Sequence, residues 1–68
     1  MKSKYDWINV PNWVNWIATD SDGEVCGFEE MPISYDDYMW YGRKHIYLSF
    51  VRPVDNWKES LEKRPSYI

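Results

Sequence analysis

Cys26 and His45 are the only cysteine and histidine in this 68-residue chain. A thiol beside an imidazole is the smallest nucleophile–base pair for acyl transfer. The contexts of the two residues argue against that use. Cys26 lies midway along an expected strand beside Phe28, where a small buried thiol is the usual occupant. His45 alternates onto the outer face of another expected strand, a common place for a solvated imidazole. One cysteine excludes an internal disulfide, and one Cys with one His falls short of the four-ligand Cys/His sets of structural zinc sites. Asp20-Ser21-Asp22-Gly23-Glu24 supplies the opening residues of a calcium loop. The sixth position is however Val25 rather than Gly, and the twelfth is Met31 rather than Glu. The adjacent acids Glu29-Glu30 and Asp36-Asp37 form carboxylate pairs, but acid–base catalysis needs a water-poor pocket that separates two pKa values. Chains this short seldom build one. The residues therefore point to a protein that is not an enzyme and uses no metal or cofactor.

Binding chemistry is better represented. Five tryptophans, six tyrosines and two phenylalanines exceed what a core of this size requires. Surplus Trp and Tyr either enlarge the core or build a surface for a partner. The formal net charge is −3, and it is unevenly spread. Residues 20–37 hold seven acids and no Lys or Arg, so this stretch can steer and orient a basic partner. Aromatic anchors ringed by charge are the usual composition of a protein interface. The expected protein-binding residues are Glu29, Glu30, Tyr35, Asp36, Asp37, Tyr38, Trp40 and Tyr47. A second reading is single-stranded nucleic-acid binding, with Tyr38, Tyr41 and Tyr47 stacking bases near Arg43 and Lys44. The acidic balance opposes it, because phosphate binding wants a basic footprint. A third is a small homo-oligomeric structural protein, since a domain this small often leans on a second subunit.

Positioning these residues calls for a single α+β domain over 1–68, an antiparallel sheet of about four strands with a short C-terminal helix. Residues 1–12, broken by Pro11, read as an irregular arm that packs Trp7 and Val10 onto the domain. The sheet spans 13–51. Trp13 to Thr19 alternates as a first strand, Asp20-Ser21-Asp22-Gly23 has turn chemistry, and Glu24 to Glu29 returns as the second. Tyr38 to Tyr41 is a short third strand. Gly42-Arg43 fits a two-residue turn into a fourth, Lys44 to Val51, completing two hairpins. There Ile46, Leu48 and Phe50 face one way, and His45, Tyr47 and Ser49 the other. A helix is expected over 54–64, capped by Asp55 or Asn56, the latter with Glu59 three residues on, and ended by Pro65. Its Trp57 and Leu61 share a face and must dock, because a helix so short is unstable alone. No run of 18 apolar residues occurs, so no membrane span is expected. The lone cysteine and the lack of an apolar run after Lys2 and Lys4 suggest a cytoplasmic protein.

Two segments together resemble small uncharacterised proteins of tailed bacteriophages and prophages. One is Trp7…Val10-Pro11-Asn12-Trp13…Ile17-Ala18-Thr19-Asp20-Ser21-Asp22-Gly23, a Trp-rich strand running into a D-x-D-G turn. The other is the tail Trp57-Lys58-Glu59-Ser60-Leu61-Glu62-Lys63-Arg64-Pro65. The resemblance implies a phage-encoded accessory protein acting in the host cytoplasm and carries no catalytic residues. Its implied partner is a host protein, such as a nucleic-acid-processing or defence enzyme, which it would bind and inhibit or modulate.

Overall fold

The structure is a computed structural model, and it describes residues 3–53 and 55–66. Four strands, β1 (Trp16–Thr19), β2 (Glu24–Phe28), β3 (His45–Phe50) and β4 (Glu62–Lys63), form one antiparallel sheet in the order β3-β2-β1-β4. The β1–β2 hairpin forms about the expected turn, with its first strand starting at Trp16 rather than Trp13 and its second ending at Phe28. Its turn closes through the Gly23 N–H donating to the Asp20 carbonyl at 2.9 Å. Gly23 has φ +97°, and a Cβ there would lie 2.0 Å from the Val51 carbonyl oxygen. Glycine is thus required both for the left-handed backbone and for the close approach of the chain after β3.

Each face of the sheet receives its own cover. On one, Ile17 and Val25 pack with Trp7 and Val14, while Tyr5 and Val10 of the N-terminal arm, Trp13 just after it, and Ile46 and Leu48 of β3 close the cluster. Trp7 is only 2% exposed, so the expected docking of the arm through Trp7 and Val10 is borne out. On the other face, Ala18, Cys26 and Phe28 pack with Trp16, Trp40 and Leu61. Trp57 is buried and stands edge-on to Trp40, with ring centroids 6.2 Å apart.

Three expectations are corrected. The C-terminal segment makes a single 3-10 turn, Trp57–Glu59, and no helix through 64; the expected first helical residue, Val54, lies outside the described residues. Ser60 leaves the turn to pair with β1, its Oγ accepting the Thr19 N–H at 2.8 Å and donating to the Thr19 carbonyl at 3.2 Å. Glu62 and Lys63 then pair with Ile17 and Trp16, giving the open edge of β1 a ladder that outcompetes a short helix. Trp57 and Leu61 still dock, from a turn rather than a helix.

Tyr38 to Tyr41 is likewise no strand, so the expected second hairpin is absent and β3 pairs instead with β2. Asp36 Oδ1 accepts the N–H groups of Tyr38 and Met39, and Asp20 Oδ1 accepts that of Trp40. Carboxylates satisfy the donors that a neighbouring strand would have used. Only Tyr41 bridges, to Ile33. Gly42 serves packing rather than a turn, since a Cβ on it would lie 2.5 Å from the Phe28 ring.

The alternation of β3 also breaks. Cys26 is paired with Tyr47 but Val25 with Ser49, so Leu48 is an extra residue in a bulge. Past it, Ser49 lines a cavity with Ile17, Val25 and Leu48, and Phe50 contacts the Tyr47 ring instead of sharing the Ile46 face. Among the described residues no helix is long and apolar enough to cross a membrane.

Candidate functional site

The hairpin turn concentrates the acids. Asp20, Asp22 and Glu24 come from the turn itself, and Asp36 arrives on the loop between β2 and β3. That loop is tied down by the Ser21 N–H donating to the Tyr38 carbonyl at 2.9 Å and the Trp40 N–H donating to Asp20. The Trp40 indole N–H adds a bond to the Thr19 carbonyl at 3.1 Å. Asp20 is buried, and burial pushes its carboxyl above the usual range, with the charges of Glu24, Asp22 and Asp36 adding to the rise and the Trp40 N–H opposing it. Asp36 behaves oppositely. The Tyr41 hydroxyl donates to it, and this bond, then the Tyr38 N–H, holds its carboxyl low. The same bond pushes the Tyr41 phenol up to about 12. Asp36 is therefore a loop organiser as well as a charge.

Large apolar side chains surround this acidic end. Tyr38 (69% exposed) and Tyr35 (72%) stand on the loop, and Tyr35 stacks on Tyr41 at 4.7 Å. Tyr47 and Phe50 lie on β3, their ring centroids 6.1 Å apart, with Phe50 opposite Glu24 and both more than half exposed. Val51, whose N–H bonds the Gly23 carbonyl at 2.8 Å, extends the apolar surface to the turn. Phe50 and Val51 were missed in the sequence, where unbroken alternation in β3 puts Phe50 in the core.

The acidic stretch is not one surface. Asp20, Asp22, Glu24 and Asp36 gather at the turn, but Glu29 and Glu30 follow the far end of β2, roughly 15 Å away at about 3.3 Å per residue. There the Glu29 N–H bonds the Lys44 carbonyl and the Asn15 amide bonds the Glu29 carbonyl. Asp37 is exposed and pairs with Lys58 at 3.8 Å. Trp40 is half-buried, with both of its donors satisfied, and belongs to the packing beneath the loop. Of the expected binding residues, Tyr35, Asp36, Asp37 and Tyr38 lie together on the loop, Tyr47 stands on β3, and Glu29 and Glu30 stand apart.

The tyrosines considered for base stacking are not gathered on one sheet face. Tyr47 alone is on a strand, Tyr38 is on the loop, and Tyr41 is held by Tyr35 and Asp36. Lys44 sits over the Trp13 ring, 4.4 Å from its centroid.

Between the loop and the β2–β3 face runs a small cleft of about 100 Å³, lined by Asp20, Glu24, Cys26, Trp40 and His45 among others. Cys26 donates its thiol proton to Glu24 Oε2 at 3.2 Å. Burial, then this bond and the neighbouring carboxylates, push the thiol up to about 12. That protonation state makes Cys26 a poor nucleophile at neutral pH. Comparison with protein-family models, curated proteins and solved structures returns no match.

Proposed function

We propose that this protein is a small accessory module that binds a basic surface on a protein partner through the turn end of its sheet. The reading is supported chiefly by one observation: Tyr35, Tyr38, Tyr47 and Phe50 are all more than half exposed beside Asp20, Asp22, Glu24 and Asp36. Aromatics at the centre of a patch supply contact area, while carboxylates at its edge set orientation and speed encounter. The resemblance to tailed-phage proteins makes a host protein the proposed partner, with inhibition or modulation as the outcome. Affinity capture from bacterial lysate tests this. The wild type should retain one stoichiometric protein that a Tyr38→Ala, Phe50→Ala double variant loses. Equal retention by both would refute the assignment of the surface.

A further inference from the structure

Asp20, Glu24 and Cys26 present two carboxylate oxygens and a thiol whose ligand atoms all lie within 4.8 Å of one another. We propose that these three residues form a mixed thiolate–carboxylate site for a borderline-soft divalent cation of the Zn²⁺ type. The set lies outside the Cys/His sets weighed from the sequence, because two of its members are acids: Glu24 precedes Cys26 by two residues on β2, and the turn brings Asp20 to both. A zinc ion holds sulfur at about 2.3 Å and oxygen at about 2.0–2.2 Å, which sets ligand atoms roughly 3.3–3.8 Å apart around a tetrahedron. Cys26 Sγ and Glu24 Oε2 already stand 3.2 Å apart. The proton between them occupies a place that a cation can take, and binding would release that proton to solvent.

An independent observation comes from Asp20. The residue is 6% exposed, and its Oδ1 accepts the Trp40 N–H. Neither Asp20 nor Glu24 forms an ion pair among the described residues. A buried carboxylate whose charged neighbours are Glu24, Asp22 and Asp36 lacks a compensating cation. The site opens to the cleft between the loop and the β2–β3 face, so a fourth position can be filled by water. The thiol distinguishes this ligand class from calcium, which takes oxygen alone.

The test is titration of the full chain with Co²⁺ and Zn²⁺, with Ca²⁺ in parallel. One equivalent of Co²⁺ should produce a thiolate-to-metal charge-transfer band in the near ultraviolet, and Zn²⁺ should displace it and raise the unfolding midpoint. Cys26→Ser should abolish the band. Glu24→Gln keeps an acceptor for the thiol, so it should fold as the wild type does yet weaken Co²⁺ binding at least tenfold. Protons released should rise with metal bound. Cobalt binding without a sulfur band, affinity unchanged in Glu24→Gln, or Ca²⁺ bound as tightly as Zn²⁺ would each overturn the proposal.

Discussion

Arg64 should be among the most costly polar residues to remove, although its place in the sequence suggests only a charge at a helix end. Its Nε donates to the Val14 carbonyl and its second guanidinium nitrogen to the Pro11 carbonyl, both at 2.7 Å. The guanidinium carbon lies 4.9 Å from the centroid of the Trp7 ring, whose indole N–H donates to Glu62 Oε2 at 2.7 Å. One side chain thus joins the strand-edge tail to the arm that covers the sheet. Two charge-assisted hydrogen bonds, each worth about 1.5–3 kcal/mol when truncation strands the partner, dominate the estimate. The cation–π contact adds about 0.5–2 kcal/mol. Because these effects overlap, Arg64→Ala should destabilise by about 3 kcal/mol. Arg64→Lys should cost about 1–2 kcal/mol, since an ammonium keeps the charge without the planar fork. Domains of this size hold on the order of 3–10 kcal/mol in total. Urea unfolding followed by tryptophan fluorescence measures both variants. A double-mutant cycle with Trp7→Leu, which removes the ring, should then show a coupling of about 0.5–2 kcal/mol. A change below about 1 kcal/mol for Arg64→Ala would refute the clamp.

Other expectations follow from the packing and charge. Trp57→Ala should cost about 3–5 kcal/mol in the same assay, because a buried ring standing edge-on to Trp40 is lost. Gly42→Ala should cost about 1–3 kcal/mol by driving a methyl into Phe28, and an unchanged midpoint would show that the loop can lift freely. For Asp20, the folded pKa lies above the unfolded value. Its stabilising contribution is therefore complete below about pH 3.9 and is lost as pH rises through the folded pKa. Asp20→Asn keeps an acceptor for the Trp40 N–H, so its advantage over the wild type should grow from pH 4 toward neutrality. Unfolding midpoints across that range give the sign, and a wild type that gains on the variant as pH rises would contradict it.

Local chemistry was legible where neighbouring residues decide the outcome. The D-x-D-G turn fixes the β1–β2 hairpin, and the aromatic arm announces its packing through Trp7 and Val10. Long-range competition was not legible. Whether Glu62 and Lys63 continue a helix or pair with β1 depends on an edge more than forty residues away. The side-chain acceptors that keep Tyr38 to Trp40 from a strand likewise belong to Asp36 and Asp20, and only the tertiary fold brings Asp20 there. A bulge at Leu48 leaves no mark in a regular apolar alternation, yet it moves Phe50 out of the core and onto the surface. On the loop of the candidate site, Tyr35, Asp37 and Tyr38 were readable as exposed groups. The separation of Glu29 and Glu30 from the other acids was hidden, because strand direction, not spacing, carries them to the far end.

Association kinetics between the protein and the partner it captures from lysate bear most directly on the proposed acidic, aromatic turn end. The rate should fall as salt is raised, because exposed charges are screened over about 8–10 Å at physiological ionic strength. Reversing Asp22 and Asp37 to Lys should slow association about tenfold or more, while reversing Glu29 and Glu30 at the far end should leave it nearly unchanged. The opposite ranking, or a rate indifferent to all four charges, would contradict the proposed surface.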